Sequence, residues 1–304
     1  MSVPLAALDA QTLVDAVGLG AVYALMAVGI GLVFGVLRLV NFAYGQLIMA
    51  GAYTLAFTSS WPVAGSIAAC FVVVIALSLL MELAVFRPLR TASPAVMLVT
   101  TFAVAFLLQN VALVLDIRDG TIGEPAVSLA SLNQAVSIGG VDVRKVTILA
   151  VVVAAVTLAL LALLLGRTRV GLHMRAASTD FRTARLLGVR ADTVIGVAVL
   201  LSGVLAAMVA VILTVQLPFV QPDFALKETI VVLVGVVVGG IDRLWTATLG
   251  GFAIGFASGV INGALPTDKT VFLPSALFAL VILVLLLRPA GLFAGGRTAV
   301  VDRV

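Results

Sequence analysis

A chain of 304 residues that is 62% hydrophobic, only 11% charged and has a mean hydropathy of +1.27 is not a water-soluble domain, since such domains are about 45–50% apolar and about 25% charged. Its formal charge of +4 comes from basic residues gathered at the edges of apolar runs, a pattern that sets membrane orientation rather than binding nucleic acid. One cysteine, Cys70, excludes an intrachain disulfide, and one histidine, His173, leaves too few soft ligands for a zinc or haem centre, so neither metal binding nor redox chemistry is expected.

The apolar runs, in chain order, are 13–36, 42–58, 63–86, 95–115, 146–165, 193–215, 229–240, 245–265 and 271–287. Most are continuous and approach the roughly 20 residues that carry a helix across a ~30 Å hydrocarbon core. They are too long and too uniform for the alternating ~10-residue strands of a porin. The expected fold is all-α, a polytopic transmembrane helical bundle of eight or nine membrane segments forming one domain over residues 1–304. The first run exceeds a signal-peptide core and follows Asp9 with no Lys or Arg before it, so it is expected to remain as a membrane helix. The 12-residue run 229–240 reads as a short or broken crossing. With the N-terminus outside and the C-terminus inside, thirteen of the 18 basic residues face the cytoplasm, and Arg118, Arg144, Lys145, Lys227 and Lys269 lie outside. The positive-inside rule selects that orientation.

The first helix repeats small residues at Ala27, Gly31 and Gly35, and the eighth run repeats Gly251, Gly255, Gly259 and Gly263. Small residues at every fourth position present a smooth face for close helix packing in lipid; the functional alternative is a sliding or dimer contact. Asn41, Tyr44 and Gln46 enter the second run, Thr100, Thr101, Gln109 and Asn110 lie in the fourth, Ser202 in the sixth, and Ser258 and Asn262 beside the glycine repeat. These neutral polar groups suit either a path for a small zwitterion or interhelical hydrogen bonding. Glu82 is the clearest ionisable group inside a run, and pairing with Arg87 fits it better than a proton relay. Segment 116–145 reads as an external loop, either a cap with a hairpin at Gly139-Gly140 or a disordered connection. The run 146–165 has no glycine and almost no polar atom, as befits a lipid-facing helix.

The gap 166–192 holds six arginines and His173. Ser178-Thr179-Asp180 offers N-cap oxygens, Gly188 a C-terminal stop, and Phe181, Ala184 and Leu187 an apolar stripe at near-helical spacing. A short cytoplasmic amphipathic helix is expected, lying on anionic headgroups or presented to a soluble partner.

The stretch Gly29-Ile30-Gly31-Leu32-Val33-Phe34-Gly35-Val36, then Asn41-Phe42-Ala43-Tyr44-Gly45-Gln46 and Gly51-Ala52-Tyr53, resembles the first two helices of LivH-type permeases of branched-chain amino acid ABC importers. Arg175-Ala176, Asp180, Ala184 and Gly188 resemble the coupling loop of those permeases. Leu108-Gln109-Asn110, Gly239-Gly240, Leu249-Gly250-Gly251 and Arg288-Pro289-Ala290-Gly291-Leu292-Phe293 extend the resemblance over most of the chain. It departs after Gly240, where the family continues with small residues and this chain has Ile241-Asp242-Arg243-Leu244-Trp245.

The resemblance implies a type II-like permease of the bacterial inner membrane that works by alternating access. It further implies a sister permease subunit, two cytoplasmic ATPase subunits that bind ATP and Mg, an external substrate-binding protein that carries most of the selectivity, and a segment Arg175, Ala176, Asp180, Phe181, Ala184, Leu187 and Gly188 docked on the ATPase. The chain contains no Gly-x-x-x-x-Gly-Lys-Ser/Thr loop, so nucleotide would have to bind elsewhere. Amides, urea or another small solute remain open as cargo, and an ATP-independent channel or facilitator is the rival outside the class. A membrane enzyme finds no triad and no carboxylate or histidine cluster to support it.

Overall fold

The structure, a computed structural model, describes residues 10–89, 92–119, 123–126, 129, 132–138, 141–179, 181–240, 243–265 and 272–288. Eleven α-helices carry it: α1 Ala10–Leu37, α2 Tyr44–Phe57, α3 Val63–Met81, α4 Pro94–Asp119, α5 Lys145–Arg167, α6 Arg169–Thr179, α7 Phe181–Leu186, α8 Ala191–Gln216, α9 Leu226–Gly239, α10 Leu244–Ala264 and α11 Leu273–Leu287. A π-helical turn, Glu82–Phe86, continues α3. Two antiparallel strand pairs complete it, β1 Glu124–Pro125 with β4 Phe219–Val220, and β2 Ala135–Ile138 with β3 Val141–Arg144.

Each of the nine apolar runs is helical, but they are not nine full crossings. Among the described residues six helices are long and apolar enough to span: α1, α3 with its π turn, α4, α5, α8 and α10. The others, α2, α9 and α11, have 14, 14 and 15 residues and rise only about 21–23 Å, short of the ~30 Å core. For α2 the cause is local. Asn41 Oδ1 accepts the Ala43 N–H at 3.0 Å, the side-chain turn that competes with helix, so the helix starts at Tyr44 and not at the beginning of its apolar run.

Helix α1 is apolar on all sides, the mark of a fully enclosed helix, and it is buried almost continuously from Ala16 to Val33. Around it pack α10, α8, α5 and α9. The α10 glycines meet it in antiparallel register, Gly251 against Ala27 and Tyr23, Gly255 against Gly20 and Leu19, Gly259 against Ala16, and Gly263 against Thr12. A Cβ on Gly259 would sit 2.5 Å from Ala16 Cα, and one on Gly255 2.8 Å from Gly20 Cα, so the two backbones touch. Gly250, one residue and about 100° round the helix from Gly251, meets Gly239 and Gly235 of α9 instead. The pair Gly250-Gly251 therefore serves two interfaces of one helix. The expected line through Gly35 ends early, because nothing lies within 4 Å of where its Cβ would be.

Helix α5 has one protein-facing edge, Val146, Ala150, Ala154 and Leu161, while Ile148, Val152, Val156, Leu160 and Leu163 are exposed. That division agrees with a lipid-facing helix. At the end of the bundle where α1 begins, α4 runs on to Asp119, so Asp116 belongs to a helix and not to the loop expected there. Asp116 is fully buried, and its Oδ2 accepts the Tyr53 hydroxyl (2.8 Å) and the Gly123 N–H (2.9 Å). One carboxylate thus ties α2, α4 and the β1 strand together. Tyr53→Phe removes a charge-assisted hydrogen bond and is expected to cost about 1.5–3 kcal/mol of stability, read as a lower melting midpoint in detergent; an unchanged midpoint would show that the clamp holds nothing. The hairpin expected in segment 116–145 is present as β2 and β3, with Gly139-Gly140 outside the described residues. Arg87 makes an ion pair with Asp192 at the start of α8 (3.5 Å), a contact that reaches across to another helix.

Candidate functional site

Three places bring the sequence-predicted residues together or separate them. The first is the packed centre. Tyr44 is 0% exposed and its ring lies directly over Gly29 of α1, where any side chain would collide with it. The Gly29 carbonyl in turn accepts the Ser202 hydroxyl of α8 at 2.8 Å. Gly45 lets α2 approach Thr229 and Ala225 at the start of α9 closely. Asn41 and Thr101 are structural as well. Asn41 turns the chain into α2, and Thr101 Oγ1 donates to Leu98 (3.0 Å) and accepts the Phe42 N–H (3.5 Å). The Tyr44 hydroxyl and Gln46 Oε1 are buried with no protein partner, which leaves polar capacity for water or cargo. Thr100 and Asn110 do not join this centre. Each bonds a carbonyl four residues back in its own helix, Val96 (2.8 Å) and Phe106 (2.7 Å), while Gln109 is half-buried and Asn110 faces outward.

The second place is a cleft of about 440 Å³ at the end of the bundle where α1 begins. Ser258 and Asn262 line it as the polar positions beside the glycine repeat, together with Tyr23, Gln216, Arg144 and Glu228. Tyr23 lies within interaction range of Ser258 and Glu228. Sequence reasoning missed Tyr23, Arg144 and Glu228. The two charges are far apart in the chain, and only the fold brings them to one cleft.

The third place is the basic segment between α5 and α8. Thr168 caps α6 by accepting the Gly171 N–H (3.1 Å), and Gly171 fits against the last carbonyls of α5. Ser178 does not cap the next helix, since its hydroxyl bonds back to Arg175 (2.8 Å). Asp180 lies outside the described residues, and Phe181 opens α7. After Leu186 the chain leaves the helix through Gly188 at φ 90°, with the Val189 N–H on the Ala184 carbonyl at 3.1 Å, the glycine-closed helix end. The expected stripe is therefore split. Ala184 is 4% exposed, whereas Leu187 is 80% and Leu186 86% exposed, and Leu186 was not among the residues foreseen. Ala176 is half-buried and Arg175 exposed; Arg175 lines a small cavity with Gly31, Gly35 and Met174. The guanidinium of Arg38 donates to the Ser178 carbonyl, near the C-terminus of α6 where cations are favoured. Arg38 itself holds φ 54° just past α1, a conformation that costs a non-glycine residue about 1–2 kcal/mol.

The sequence profile of the family described as branched-chain amino acid transport system / permease component matches residues 12–288. The chain belongs to this family. BraD of Pseudomonas aeruginosa, a high-affinity branched-chain amino acid transport system permease protein, is 30% identical over 300 residues, covering 93% of this chain and 94% of the relative. The LivH permease proteins of Salmonella typhimurium and Escherichia coli are 29% and 28% identical over 299 residues, with the same coverage. No solved structure matches. This permease is accordingly a multi-pass membrane protein, and its motif glycines have definite places: Gly29 and Gly45 around Tyr44, Gly239 against Gly250, and Gly251 against α1. Of the departing stretch, Ile241 and Asp242 lie outside the described residues, Leu244 fills the space at Gly31, and Trp245 is 72% exposed.

Proposed function

We propose that this chain is the membrane-spanning subunit of an ATP-binding-cassette importer for branched-chain or related amino acids, in the bacterial inner membrane with its N-terminus outside. It is not itself an enzyme. Two cytoplasmic ATPase subunits bind ATP and Mg, a sister permease completes the membrane core, and an external binding protein delivers cargo. The observation that carries the coupling reading is the pair Leu186 and Leu187, large apolar side chains 86% and 80% exposed at the tip of a basic segment. Contiguous exposed apolar groups rimmed by polar ones mark interaction sites, and the positive-inside orientation puts this tip on the ATPase side.

Closure of the ATPase subunits would move α6 and α7 together, and the Arg38–Ser178 contact passes that movement to the inner end of α1. Because α1 is packed by backbone contact against α10, its displacement is transmitted to the cleft at the far end. The experiment is ATP-driven uptake of labelled leucine by proteoliposomes holding the full complex and its binding protein. Uptake that requires ATP inside and binding protein outside supports the reading, and equal uptake without nucleotide would establish a facilitator instead. Arg38→Ala is expected to keep the ATPase subunits bound while lowering uptake about tenfold, the loss of one charge-assisted hydrogen bond. Full uptake in that variant would remove Arg38 from the coupling route.

A further inference from the structure

Two opposite charges line the same cleft, and neither makes an ion pair within it among the described residues. Glu228, at the start of α9, lines it, and its Oε2 is buried with no hydrogen-bond partner. Its sequence neighbour Lys227 attracts it at longer range and pairs with Asp223 at 3.9 Å, so Oε2 itself is left without a donor. Arg144, the residue before α5, stands exposed at the rim and makes no ion pair among the described residues. Asp15, the other carboxylate there, already accepts the Gln11 amide at 3.0 Å. A shielded carboxylate oxygen without a donor is costly, so the cleft is built to receive one.

The rest of the lining is sorted by chemistry. Tyr23 and Ser258 are 6% and 3% exposed, and Tyr23 is within interaction range of both Ser258 and the Glu228 carboxylate, which adds a buried hydroxyl pair to the lining. Leu19, Leu213, Leu217 and Leu273 supply an apolar wall. A buried acid, a base at the rim and an aliphatic wall in a single cleft of about 440 Å³ fit three-point recognition of a small apolar zwitterion, within the usual range for small-ligand pockets, with the exposed Asp15 as a second acid at the mouth.

We infer that this cleft is a substrate-capture site of the permease itself, with Glu228 receiving the ammonium group, Arg144 the carboxylate and the leucines the side chain of an aliphatic α-amino acid. The inference rests on the importer reading for its choice of ligand. It makes the permease a second filter behind the binding protein, one that rejects molecules lacking either charge.

The test uses the purified complex carrying Cys70→Ser, which removes the one native thiol of this chain, and Asn262→Cys, an exposed position on the cleft, with labelling read on this chain alone. Alkylation of the introduced thiol by N-ethylmaleimide is timed with L-leucine, with leucinamide, which lacks the carboxylate, and with 4-methylpentanoate, which lacks the ammonium. Leucine is expected to slow labelling at concentrations about tenfold lower than either analogue, the effect of one charge-assisted contact. Glu228→Gln is expected to bring leucine and 4-methylpentanoate level, and Arg144→Gln to bring leucine and leucinamide level. Free labelling that leucine does not slow, protection by leucinamide equal to that by leucine in the otherwise unaltered chain, or protection by ammonium chloride at the same concentration would each overturn the site. The parent complex, with Cys70 and Asn262 intact, is assayed for ATP-driven uptake: uptake by the parent without protection of the variant rejects the capture site alone, and protection without uptake by the parent rejects the importer reading alone.

Discussion

Leu187→Asp is expected to leave the protein inserted and folded while the ATPase subunits no longer co-purify with it and ATP-driven uptake is lost. The side chain is 80% exposed, so a charge there stays in water in the isolated subunit, and surface substitutions of that kind stay within about 0.5 kcal/mol. Against a docked partner the same carboxylate would be desolvated with nothing to pair it. Truncation or charge insertion at a buried interface anchor costs about 2 kcal/mol or more, which weakens association roughly thirtyfold. Ala184→Asp is the less informative change. Ala184 is 4% exposed, and its carbonyl closes the helix end with Val189, so a carboxylate there damages the segment before any partner arrives. A tagged pull-down in mild detergent, read beside the size-exclusion profile of each variant, separates the two cases. Retention of the ATPase subunits by Leu187→Asp at the level of the parent would place the docking surface elsewhere.

That contrast also shows where sequence reasoning stops. The apolar runs were legible because crossing a bilayer demands continuous apolar helix, and every run identified that way is a helix. The spacing of Phe181, Ala184 and Leu187 pointed to one apolar face, but α7 ends at Leu186 and Gly188 takes the chain out of the helix. Helical periodicity does not extend past a glycine-closed end, so Leu187 points away from the face that buries Ala184. The polar residues of α4 show a different limit. A threonine or asparagine inside a helix can bond the carbonyl one turn back, as Thr100 and Asn110 do, so its presence in a sequence does not by itself distinguish a path from a local bond. Glu228 and Arg144 were invisible because they are far apart in the chain, and their common cleft exists only after α5 and α9 pack around α1. The glycine repeat was legible as a seam, but its partner and register were not: nothing in the spacing distinguishes Gly250, which meets α9, from Gly251, which meets α1.

The seam itself yields the second large effect. Gly259→Leu is expected to lower the melting midpoint sharply, whereas Gly35→Ala is expected to raise it slightly. At position 259 the first added carbon would stand 2.5 Å from Ala16 Cα and 2.8 Å from Ala16 Cβ. Neither atom is the end of a flexible side chain, so relief requires moving a backbone. The backbone in question belongs to α1, the helix around which α5, α8, α9 and α10 all pack, and displacing it disturbs several interfaces at once. Overpacking of a well-filled core costs about 1–3 kcal/mol, and a full leucine at a backbone contact belongs at or above the upper end of that range. At Gly35 there is open space within 4 Å, and alanine is the better helix former by about 1 kcal/mol. Melting followed by fluorescence-detected size exclusion in one detergent compares the two directly. If Gly259→Leu melts with the parent, α1 and α10 can separate at little cost; a coincident loss of uptake would then assign the glycine seam to a sliding contact, with packing as its secondary role.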